Sequence, residues 1–86
     1  MGHLYSTKVT AVGGRHGTIK SEDGILELKL ALPKSVGGPG GATNPEQLFA
    51  GGYAACFETA LFRVSREAGV ILNDNDVDVT AEVNLD

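Results

Sequence analysis

A single cysteine, Cys56, among 86 residues excludes an intramolecular disulfide and any Cys-rich metal site. The two histidines, His3 and His16, stand at no ligand spacing from it, so neither a zinc site nor a cofactor is expected. An unpaired thiol suits a reducing compartment, which makes the cytoplasm the expected location. Basic residues are few and scattered: Lys8, Arg15, Lys20, Lys29, Lys34, Arg63 and Arg66, against a net charge of −4. Nucleic-acid affinity rests on clustered Lys and Arg, so no nucleic-acid partner is expected. No apolar run approaches the ~20 residues needed to cross a bilayer, so no membrane role is expected either. The opening Met1-Gly2-His3-Leu4-Tyr5 lacks the basic and apolar regions of a signal peptide. Internal repeats and low-complexity blocks are absent. The run Gly37-Gly38-Pro39-Gly40-Gly41 lacks the Gly-Lys-Ser/Thr ending of a phosphate loop.

What is present has ordinary globular proportions, with 42% hydrophobic and 21% charged residues. Residues 1–86 fit one small domain. A chain of this size buries only about 60% of its unfolded surface, so burial against a partner subunit is expected.

The first third reads as an antiparallel meander. Leu4 to Val12 is rich in Tyr, Thr and Val and ends at Gly13-Gly14. Gly17 to Lys20 can pair with it across a Gly-flanked turn carrying Arg15 and His16. Ser21-Glu22-Asp23-Gly24 is a second turn signal. From Ile25 to Leu32 the residues alternate, with Leu26, Leu28, Leu30 and Leu32 on one face and Glu27 and Lys29 on the other, as in a strand with one buried face. Pro33 to Asn44 is loop. A helix is predicted from Asn44-Pro45-Glu46, with Asn44 or Thr43 as N-cap, Pro45 at the first helical position and Glu46 near the positive end of the dipole. Phe49, Tyr53, Cys56, Phe57, Ala60, Leu61, Val64 and Ala68 recur at three- and four-residue steps as one apolar stripe, and Gly69 marks the stop. Gly51-Gly52 weakens this helix and is a candidate kink or break. Asp76 to Asp86 alternates again, with Val77, Val79, Ala81, Val83 and Leu85 on one face. It reads as a half-buried strand that is cut at its end or completed by a partner. The predicted class is α+β.

Three residues are candidates for chemistry, and each has a plain structural reading beside the functional one. Cys56 on an apolar stripe is either a core thiol or, if activated by nearby cations or a helix N-terminus, a nucleophile. Arg15 at a turn tip is either a solvated charge or a guanidinium that folds over the thiol to stabilise its thiolate. Glu46 is either a carboxylate favoured by the helix dipole or a bidentate partner that holds Arg15. Ten residues separate Glu46 from Cys56, about 15 Å along an unbroken helix. The two can share a site only if the helix breaks at Gly51-Gly52 or if a second subunit supplies one of them.

The run from Gly37 to Phe57, Gly-Gly-Pro-Gly-Gly-Ala-Thr-Asn-Pro-Glu-Gln-Leu-Phe-Ala-Gly-Gly-Tyr-Ala-Ala-Cys-Phe, resembles the signature of the organic hydroperoxide resistance proteins, a branch of the OsmC-like family. Leu4-Tyr5, Gly13-Gly14-Arg15 with Gly17, and Ser21-Glu22-Asp23-Gly24 before a Leu-rich strand extend the likeness over nearly the whole chain. The resemblance implies an intertwined α+β homodimer with active sites at the subunit interface. It implies Cys56 as the nucleophile toward organic, lipid-type hydroperoxides, with Arg15 and Glu46 as an adjacent ion pair. The implied reductant is a lipoylated protein or another dithiol. Family members also carry a second, resolving Cys in a Val-Cys-Pro segment, and this sequence has no counterpart of it. The alternative reading is therefore a non-catalytic dimerising or redox-sensing module, or a fragment.

Overall fold

Val9-Thr10-Ala11-Val12 is a β-favouring run, and in the computed structural model, which describes residues 2–86, it forms strand β1 (Val9–Val12). Strand β2 (Thr18–Ser21) pairs with it antiparallel, Val12 opposite Thr18 and Val9 opposite Ser21. Strand β3 (Glu27–Lys29) adds to the other edge of β2, Thr18 opposite Lys29 and Lys20 opposite Glu27, giving the expected meander in the order β1-β2-β3. The Lys20 and Glu27 side chains meet across the strands at 3.6 Å.

Both hairpin turns follow from their residues. Between β1 and β2 the chain makes one tight turn over Gly14–His16, closed by the Gly17 N–H donating to the Gly14 carbonyl at 3.1 Å. Gly17 has no room for a side chain, since a Cβ there would lie 1.7 Å from the Val12 carbonyl oxygen. Between β2 and β3, the Gly24 N–H donates to the Ser21 carbonyl at 2.9 Å. The buried Ser21 hydroxyl donates to Asp23 Oδ1 at 2.6 Å and accepts from the Leu26 N–H at 2.9 Å.

Two of the expected strands are shorter than their sequence patterns. Leu4 and Tyr5 are exposed and unpaired, so β1 begins only at Val9. The Leu-rich run pairs over three residues and then leaves the sheet. Leu30 bridges in parallel to Thr43, and the Ala31 N–H donates to the Thr43 carbonyl at 2.9 Å. That crossing buries Leu30 and Ala31 to 4% and 6% exposure, and they are the only buried hydrophobic residues among those described. The leucine alternation is otherwise as expected, with Leu26, Leu28 and Leu32 half-buried and Glu27 and Lys29 exposed.

The chain divides into two units, the first ending at Pro45 and the second spanning Glu46–Asp86. Helix α1 (Pro45–Glu67) opens the second. Pro45 takes the first helical position, Asn44 before it is buried, and Glu46 lies in the first turn, as predicted. The helix runs unbroken through Gly51-Gly52. It stops at Gly69, whose φ of 86° lets the chain turn back: the Gly69 N–H donates to the Arg66 carbonyl at 3.0 Å and the Val70 N–H to that of Ser65 at 2.8 Å.

The expected final strand is not paired. From residue 77 to 86 the described chain forms no ladder, although Val77, Val79 and Ala81 are half-buried and Asp78, Thr80 and Glu82 exposed. Alternating burial can arise from side chains alone. A strand also needs a neighbouring backbone to accept its N–H groups, and no described segment offers one here.

Candidate functional site

Much of the apolar stripe of α1 is uncovered in this chain. Phe49, Tyr53 and Phe57 are 73%, 66% and 52% exposed, and Val64 is exposed with them. The half-covered face of the helix lies to one side, along Ala50, Ala54, Glu58, Leu61 and Ser65. Leu48 and Phe62 are half-buried as well, so bulky apolar side chains stand on both the covered and the uncovered parts of the helix.

Cys56 belongs to that uncovered stripe and is itself exposed, not a core thiol in this chain. Tyr53 precedes it by three residues and Ala60 follows by four, the spacings at which helix side chains become neighbours. The Tyr53 and Phe57 rings stack with centroids 6.3 Å apart and planes inclined by 25°. The sequence pattern places both rings on one apolar stripe. Their i,i+4 spacing was the available sign that they pair along the helix, but periodicity alone says nothing about what covers a stripe.

Glu46 and Cys56 sit on one unbroken helix, which holds them about 15 Å apart along its axis within a chain. The helix break that would have brought them together is absent. Arg15 lies in the other unit, half-buried within the turn between β1 and β2, with His16 beside it exposed. Among the described residues no group of His, Cys, Asp and Glu could hold a metal ion, and no helix is long and apolar enough to cross a membrane.

An exposed thiol on an aromatic helix face, in a chain that also carries a Gly-rich loop and an antiparallel meander, accords with a known sequence family. The pattern of the OsmC-like proteins fits residues 38–86, and the chain belongs to that family. Within it the likeness is to the organic hydroperoxide resistance branch. The chain is 44% identical over 82 residues to organic hydroperoxide resistance protein OhrB of Bacillus subtilis, covering 95% of this chain and 58% of that protein. It is 48% identical to OhrA of the same organism, covering 95% and 57%. The crystal structure of Bacillus subtilis OhrB superposes with a TM-score of 0.71 at 46% identity, covering 83% of this chain and 53% of that one. An organic hydroperoxide resistance protein from Elizabethkingia anophelis superposes with a TM-score of 0.79 at 43% identity, covering 93% and 56%. The chain thus spans somewhat over half the length of these relatives.

Proposed function

We propose that residues 1–86 are the N-terminal part of an OsmC-like domain that reduces organic hydroperoxides at Cys56, with Arg15 and Glu46 as its assisting groups. The observation that carries this reading is the exposed thiol on an apolar, aromatic helix face. A peroxidatic cysteine needs access for the peroxide, and Tyr53, Phe57 and Phe49 offer an apolar wall for the organic part of a lipid-type substrate. The Cys56 thiolate attacks the distal oxygen of ROOH. The S–O bond forms as the O–O bond breaks, the alkoxide takes up a proton and leaves as the alcohol, and sulfur remains as sulfenic acid.

In this proposal the Arg15 guanidinium stabilises the thiolate and binds a peroxide oxygen, and Glu46 holds Arg15 through a bidentate pair. The unbroken helix keeps a chain's own Glu46 about 15 Å from its Cys56. The Glu46 that serves a given thiol therefore comes from the second subunit of a homodimer. The reductant that returns the enzyme to its thiol form is an external dithiol or a lipoylated protein, in the cytoplasm.

The uncovered stripe supports a second reading, a dimerising module whose Cys56 does not react. Intact mass and thiol content after one equivalent of cumene hydroperoxide separate the two. The peroxidase reading expects rapid loss of one thiol, trapped as sulfenic acid and absent in Cys56→Ser. A thiol that survives excess peroxide in folded protein leaves the non-catalytic module standing.

A further inference from the structure

The first unit holds a cavity of about 200 Å³ that the proposed peroxidase chemistry does not use. It is lined by His16, Lys29, Leu30, Ala31 and the loop 39–42. No carboxylate lines it. Lys34 adds a third basic side chain nearby, its methylene stem passing so close to Gly40 that a Cβ there would lie 3.0 Å from Lys34 Cγ. The His16, Lys29 and Lys34 side chains have no hydrogen-bond or ion-pair partner among the described residues, whereas Lys20 is paired with Glu27. The loop contributes donors as well. Gly40 donates its N–H to the Leu32 carbonyl at 3.0 Å, but the N–H groups of Gly41 and Ala42 find no backbone acceptor among the described residues. Charge is distributed the same way: five of the seven Lys and Arg residues, but only three of the eleven carboxylates, lie in residues 1–45.

Donors without acceptors around a small concave space are complementary to an anion. Two lysines and two free amides supply charge-assisted and neutral hydrogen bonds together. The volume is below that of pockets for whole drug-sized ligands and suits a single headgroup. We propose that this cavity binds a small oxyanion, a phosphate or carboxylate group, held by Lys29 and Lys34 with the Gly41 and Ala42 amides. The proposal stands independently of Cys56 and of the peroxidase reading.

The test is a titration of the full chain with inorganic phosphate, and separately with acetate, followed by amide NMR shifts at constant ionic strength. Saturable shifts of Gly41 and Ala42 are expected with at least one of the two ions, and the tighter ion tells phosphate from carboxylate. Lys29→Gln with Lys34→Gln should weaken that binding by about tenfold. Lys8→Gln, which removes an equally exposed charge from the same unit, should leave it unchanged. All these lysines are exposed, so folding is retained. Absence of saturation with both ions, or equal weakening by Lys8→Gln, overturns the proposal.

Discussion

At Gly17 the constraint is neighbouring backbone, the Val12 carbonyl and the Gly13 α-carbon both standing where a side chain would begin. Its α-carbon packs against the Val12 carbonyl at the mouth of the first hairpin, and its own carbonyl accepts the Leu30 N–H at 2.8 Å. Gly17→Ala must displace backbone, not a flexible side chain, so it should cost about 2 kcal/mol or more, read as a lower urea midpoint. Asp23 shows how a turn adjusts a charge. The Ser21 hydroxyl first, and then the Ile25 N–H, bond to its carboxylate and lower its pKa below the ordinary value. A carboxyl whose folded pKa is depressed stabilises the fold above its unfolded value of about 3.9, and that contribution is lost as pH falls through the lowered folded value. Ser21→Ala removes the larger cause. The Asp23 carboxyl should then titrate closer to the ordinary value in an NMR pH series, and an unmoved titration would count against the hydroxyl as the cause.

At the scale of elements, α1 spends stability on two adjacent glycines. Gly51 and Gly52 lie in its interior, are exposed, and have no atom within 4 Å of where a Cβ would stand. Alanine at either position should therefore stabilise the chain by roughly 1 kcal/mol, seen as a higher thermal midpoint. If a partner's backbone approaches this face in an assembly, the same substitutions should instead weaken self-association, and sedimentation separates the two effects. The helix itself was legible in advance because its signals are local: Pro45 at the start, Gly69 at the stop, and a 3.6-residue period between them. The meander was legible for the same reason, from two Gly-containing turns and the leucine alternation. The strand predicted for residues 76–86 was not, because a strand is completed by its neighbour and sequence periodicity reports only which side chains share a face.

The whole molecule buries very little, with Leu30 and Ala31 as its only buried hydrophobic residues among those described. Phe49, Tyr53, Phe57 and Val64 form an uncovered apolar row on α1. The proposed homodimer would cover part of it and leave an opening for the peroxide at Cys56. Phe49→Glu should then shift sedimentation toward monomer while leaving helical circular dichroism intact. A wild-type chain that is monomeric at micromolar concentration would remove the dimer, and with it the route by which Glu46 reaches a thiol.

Local order in this protein was written into consecutive residues: turns, caps, the helix period and the sign of each strand face depend on atoms a few positions apart. Cys56 was legible as a candidate for the same reason, from the residues around it. Its exposure was not, because burial depends on what packs against a stripe, and that is decided by segments distant in sequence or on another chain. The separation of Glu46 from Cys56 likewise waited on tertiary structure. Gly51-Gly52 permits both a continuous and a broken helix at a difference of about 1 kcal/mol per glycine, and only the folded chain shows it to be unbroken.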